Sequence, residues 1–150
     1  KAMEFQLKRD NPEYKKSQAD DLMNMKTGIF GYKGRVHYQA AACMNDFIAA
    51  LPADMPKNEF YATIATEIDR RIYMGYRLYP GNYVAVDLLQ GGNTYADRYT
   101  AEERATFEQY LAGQLQKIDM PGKDEAFLRT KILEMYANPA LNQLSVKCEA

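Results

Sequence analysis

Ile68–Leu89, IDRRIYMGYRLYPGNYVAVDLL, is the stretch from which the rest of this chain is read. It begins as an amphipathic helix, breaks at Tyr79-Pro80-Gly81-Asn82 and resumes as a short apolar run, Tyr83–Leu89. Upstream, Phe60, Ile64, Ile68 and Ile72 recur every four residues, which predicts a helix over Lys57–Tyr76 with one apolar stripe. Glu67, Asp69, Arg70 and Arg71 lie off that stripe. The residue before a proline is pushed out of the α region, so Pro80 ends the helix. If the stripe is core, an Ile64→Asp or Ile68→Asp change unfolds the domain, because an unpaired buried charge is costly.

On the C-terminal side, Gly91-Gly92-Asn93 closes the apolar run. Thr100 with Glu103 matches a capping box, in which each side chain satisfies an orphan backbone N–H. It opens a helix with Phe107, Leu111, Leu115 and Ile118 on one stripe, stopped by Pro121-Gly122. Asp124 can cap a further helix through Tyr136, with Phe127, Leu128, Ile132 and Met135 inward. Asn138-Pro139 breaks it, a last turn or two holds Leu141 and Leu144, and Ser145–Ala150 frays.

On the N-terminal side, Asn11 can cap a helix with Pro12 at its first position. Asp20–Met25 offers a short amphipathic turn. Gly28, Gly31 and Gly34 punctuate a loop. They lack the Lys-Ser/Thr ending of a phosphate-binding P-loop, and they shape turns instead. Arg35–Cys43, RVHYQAAAC, is the best strand candidate, since Val36 and Tyr38 alternate before the segment turns small and apolar. Its alanines read equally well as helix. A lone strand cannot satisfy its own ladder and needs a partner. Met44–Leu51 is a short helix, and Pro52 and Pro56 make a linker. The expected class is mainly α, with four to five helices and one strand at about 35–42.

The chain has 150 residues with 47% hydrophobic content, enough for a core in one domain or a domain with an appendage. Nineteen Lys and Arg against twenty Asp and Glu leave a formal charge of −1, which argues against nucleic-acid binding. No apolar run approaches the ~20 residues that span a bilayer. Eight methionines and eighteen aromatics raise a lipid-surface idea, but no basic amphipathic helix with a large apolar face accompanies them. Cys43 and Cys148 form no metal motif; a disulfide or two free thiols are both open, the thiols being simpler. The text opens on Lys1, in mid-stride, as if processed, truncated or cut from a larger protein.

No catalytic constellation is visible. His37 is the only histidine; it has no nucleophile or metal-ligand partner in reach and reads as structural. Asp20/Asp21, Glu102/Glu103 and Asp124/Glu125 sit at helix starts and read as caps and dipole partners. The knot of Arg70, Arg71, Arg77 with Tyr73, Tyr76, Tyr79 and Tyr83 is the binding candidate, and Arg70, Arg71, Tyr76, Arg77 and Tyr79 are its site residues. Arginine clamps phosphate or carboxylate, and tyrosine supplies a flat amphipathic wall. The plainer reading pairs these arginines with Glu67, Asp69 or Asp87. No cofactor or metal is expected.

Two stretches, Asn24–Tyr38 (NMKTGIFGYKGRVHY) and Ile68–Leu89, together resemble the downstream part of bacterial glycerolipid-type acyltransferases, the 1-acylglycerol-3-phosphate acyltransferase superfamily. The opening KAMEFQLKRDNPEYKKS resembles the segment that follows that domain's proline-valine strand. The resemblance covers most of the chain. It implies that Lys33–Tyr38 is a late strand of an α/β catalytic sheet, with residues 1–51 ending that domain and 52–150 forming a helical extension. It also implies a cytoplasmic protein peripheral to the inner membrane, and transfer of an acyl group from a thioester donor to a glycerolipid-like or amino-lipid acceptor. Such enzymes use a histidine followed five positions on by an aspartate as the base. Here that position is Ala42, and the glycine-arginine-serine motif is absent, so no catalytic residue is carried onto this chain and those groups are expected upstream of Lys1. The expected partners are the upstream part of the same protein or a second copy, with lipid or acyl thioester in the parent. The alternative is a self-contained helical module that binds a protein or a small anion at the Tyr/Arg corner.

Overall fold

A computed structural model describes residues 1–148. The mainly-α expectation holds, with seven helices among the described residues rather than four or five: α1 (Ala2–Asp10), α2 (Gln18–Phe30), α3 (Asn45–Ala49), α4 (Lys57–Gly75), α5 (Pro80–Gln90), α6 (Ala101–Gln116) and α7 (Glu125–Cys148). A single 3₁₀ turn, Ala96–Arg98, leads into α6.

The apolar run after the break is the hub. Pro80 sits in the first turn of α5, where its missing N–H costs nothing. Asn82 Oδ1 accepts from the Tyr79 N–H at 2.8 Å. Gly91, at φ +68°, ends the helix in the left-handed conformation glycine tolerates. Val84, Ala85 and Val86 are fully buried, and Asp87 is buried behind them. A helix apolar on every side belongs at the centre. It packs chiefly on α7 and also on α6, while α1 and α4 lean on α7. Leu128, Ile132, Leu133, Ala137 and Ala140 of α7 and Phe107, Leu111 and Leu115 of α6 complete the core. At Gly81 an added Cβ would stand 3.1 Å from the Phe107 ring, so glycine lets α5 approach α6.

The capping box opens α6 as expected: Thr100 Oγ1 accepts from Glu103 N, and Glu103 Oε2 accepts from Thr100 N at 2.8 Å. Asp124 caps α7 by accepting from Phe127 N. That helix does not break at Pro139 but continues through it to Cys148. Ala137, Ala140 and Gln143 flank Pro139 and are buried, and this packing offsets the hydrogen bond that proline removes. Within it Met135 is exposed, not inward.

Other expectations fail in instructive ways. Asn11 follows α1 instead of starting a helix, and its Oδ1 accepts from Glu13 N in a local turn. The cap that does start α2 is Ser17, in a reciprocal pair with Asp20. Gly28 lies inside α2, so the loop begins at Gly31. The α4 stripe is not core: Phe60 and Ile64 are half-buried, while Ile68 and Ile72 are 41% and 47% exposed. The segment 35–42 is not a strand. Residues 35–43 are irregular and exposed, with a bend at Arg35, and no ladder forms among the described residues. Ser145–Cys148 is helical; Glu149 and Ala150, and the pairing of the Cys148 side chain with Cys43, lie outside the described residues.

α1 reaches the core from afar. Its Gln6 is completely buried and accepts from Asp124 N at 3.0 Å while donating to Gly122 O at 2.8 Å. Arg9 adds an ion pair to Asp124 at 2.7 Å. α2 joins the body through polar links, Asn24 to Glu4 at 2.7 Å and Lys16 to both Glu4 and Asp21. Its Leu22, Met25 and Ile29, one helical face, are exposed, as is Phe30 at 81%. No helix among the described residues is long and apolar enough to cross a membrane.

Candidate functional site

The Tyr/Arg corner forms where this irregular segment crosses the last turns of α4. Arg71 fastens the crossing. Its Nε donates to Glu67 Oε1 at 2.7 Å, and its Nη1 donates to Ala42 O at 2.7 Å and to Cys43 O at 3.3 Å. Gly75 permits the close approach, since a Cβ there would stand 2.9 Å from Gln39 Cγ. Gln143 of α7 holds the other side, donating from Nε2 to Tyr73 O at 3.0 Å and Tyr76 O at 2.7 Å, two carbonyls at the end of α4.

Between the segment and α4 lies an open cleft of about 470 Å³. His37, Tyr38 and Gln39 form one wall; Arg71, Arg77 and Tyr79 stand on the other. Tyr76 and the apolar Ile72 also line it, and no lining residue is acidic. The Arg77 and Arg35 guanidiniums each lie 5.9 Å from the Tyr79 ring centroid, at cation–π distance.

Four of the five expected site residues therefore meet: Arg71, Tyr76, Arg77 and Tyr79. Arg70 does not join them. It turns to Glu67, with Nε to Oε2 at 2.6 Å and Nη2 to Oε1 at 2.8 Å. Hydrogen bonds from Arg70 and then Arg71 hold the Glu67 carboxyl down at about 2. The plain pairing with Glu67 thus holds for two arginines and not for Arg77. Asp87, the third acceptor considered, is occupied elsewhere: it accepts from Tyr95 N at 3.1 Å and Tyr99 Oη at 2.6 Å. That bond, with burial, pushes the Tyr99 phenol up.

Sequence reasoning missed the place of His37 in the cleft lining, and the approach of Arg35, which does not line the cleft, to the Tyr79 ring. Both lie some forty residues before Tyr79, and only the fold joins them to it. Among the described residues no group of three His, Cys, Asp or Glu side chains is placed to hold a metal. Among the residues lining the cleft no serine, threonine or cysteine stands beside His37. No family model, curated protein or solved structure matches the chain.

Proposed function

We propose that this chain is the non-catalytic helical part of a glycerolipid-type acyltransferase, and that residues 32–43 dock as a strand on the sheet of its catalytic domain. The parent reaction is acyl transfer from a thioester to a glycerolipid-like or amino-lipid acceptor, in the cytoplasm at the inner membrane. In this reading residues 1–51 finish the catalytic domain and 52–150 form its extension.

One observation carries the docking. Residues 32–43 take part in no backbone–backbone hydrogen bond among the described residues, and Tyr38 is 91% exposed. A segment whose backbone N–H groups have no backbone partner is a template for strand addition, although its Ala42 and Cys43 carbonyls are taken by Arg71. Exposed Leu22, Met25, Ile29 and Phe30 lie just before it and add apolar surface for a partner. The choice of an acyltransferase sheet as the partner rests on the resemblance of Asn24–Tyr38 and Ile68–Leu89.

The test is association. Without a partner, the purified chain self-associates as its concentration rises, followed by sedimentation velocity. Tyr38→Pro, which removes one N–H and blocks a ladder, returns it to monomer. A chain monomeric at every concentration refutes the docking. Purified chain also shows no transfer from an acyl thioester to a lysophospholipid, and measurable turnover refutes the non-catalytic role.

A second reading, a self-contained interaction module, draws on the closed core of α1 and α5–α7. No buried side-chain polar atom there lacks a partner among the described residues. It predicts the monodisperse, cooperatively melting monomer that the first reading does not.

A further inference from the structure

Arg71 joins three parts of the fold at one point. Its guanidinium pairs with the Glu67 carboxylate one turn back on α4 and reaches the Ala42 and Cys43 carbonyls. It also lies 5.9 Å from the centroid of the Phe47 ring on α3, at cation–π distance. The Arg71 side chain is 20% exposed and that of Glu67 11%, so neither end of the link is a free surface group. A planar guanidinium with five N–H groups can serve a carboxylate and two carbonyls together. Residues 32–43 make no backbone–backbone hydrogen bond among the described residues, so these side-chain bonds do much of the fastening. Gln39, set against the backbone of α4 at Gly75, covers one side of the segment with the helix.

This staple and a β-ladder ask for different backbones. Successive carbonyls of a strand point to opposite edges. Here one nitrogen, Nη1, lies 2.7 Å from Ala42 O and 3.3 Å from Cys43 O, so both carbonyls turn toward the same donor. Residues 42 and 43 therefore cannot enter a strand while Arg71 holds them. Arg70 takes no part in this. Its hydrogen bonds among the described residues go to Glu67 and reach nothing in 32–43.

We propose that Arg71 is a latch that opposes the docking of residues 32–43. Fastened, the segment is held irregular against α4; released, it straightens and adds to a sheet edge. The consequence for association rests on the docking reading, whereas the latch itself rests on the Arg71 contacts alone. Only the open fraction binds, so the apparent affinity is the intrinsic affinity reduced by that fraction.

The test has two readouts on the full chain: backbone ¹⁵N relaxation for the segment and sedimentation velocity for association. In the unmodified chain Ala42 and Cys43 relax as rigid backbone, with order parameters of about 0.85, and Arg71→Gln drops them below about 0.6. The fully buried Val84–Val86 of α5 stay rigid in both. Arg71→Gln also lowers the concentration of half-association about tenfold, and adding Tyr38→Pro to it gives a monomer. Arg70→Gln changes neither readout. If Arg71→Gln loosens α5 as well, Arg71→Lys decides: one ammonium keeps the pairing with Glu67 but cannot span the carboxylate and both carbonyls, so the segment loosens over a rigid body. Unchanged order parameters in both variants, or mobile Ala42 and Cys43 in the unmodified chain, overturn the latch whether or not the chain associates. A segment that loosens with no gain in association, in a chain whose association Tyr38→Pro abolishes, overturns the gating and leaves the docking standing. A segment that loosens in a chain that associates at no concentration overturns the docking, and the gating with it.

Discussion

Glu67 is the residue on which the corner turns. Its side chain is 11% exposed and takes hydrogen bonds from Arg70 and Arg71 together. Its folded pKa, about 2, lies below the ordinary 4.5, so the pairing favours the folded state fully above pH 4.5 and is lost as pH falls toward 2. Carbon-detected NMR of the Glu67 carboxyl should give a midpoint near 2, and Arg71→Gln should move it upward. A midpoint of 4.5 in the unmodified chain means the pair does not form. Acid in that window should also free the Arg71 staple and loosen residues 42–43 from α4. At this scale the sequence was legible where partners are close: Thr100 and Glu103 announce their box three residues apart. Asp87 was not. Nothing in a run of apolar residues says that its carboxylate folds inward to Tyr95 and Tyr99, where each bond to a charged group contributes about 1.5–3 kcal/mol.

Among elements, α4 and α7 invert what periodicity suggested. The stripe Phe60, Ile64, Ile68, Ile72 repeats well, yet periodicity reports only that one face differs from another. α4 touches α7 at its C-terminal end and leaves much of that face to solvent. Ile68→Asp should therefore change the unfolding free energy, measured by denaturant titration, by no more than about 0.5 kcal/mol in this chain, as for an exposed site. Leu128→Ala, at a fully buried position, should cost about 3–5 kcal/mol. Equal effects would place α4 back in the core. A partner covering the exposed face would also raise the cost of Ile68→Asp. The apolar run Tyr83–Leu89 was too short for pattern to separate helix from strand, and Pro80 begins α5, whereas α4 has already ended at Gly75. For residues 35–42 the local β signal is genuine, but a ladder is a property of two segments.

Across the whole molecule, the body built on α5, α6 and α7 carries a long excursion, residues 11–79, on which every candidate binding feature lies. The Tyr/Arg knot could be read from adjacency along the chain; the completion of the cleft by His37, Tyr38 and Gln39 could not, because it depends on where the excursion returns. The same distance governs α1. Gln6 meets Gly122 across 116 residues of chain, and closing such a loop costs entropy that the neighbouring pairs α5–α6 and α6–α7 do not incur. Gln6→Ala should thus hasten unfolding in stopped-flow measurements and leave the folding rate unchanged, whereas an equal loss in the folding rate would put the clasp in the nucleus. In order of assembly, the first helix of the sequence is then the last to find its place.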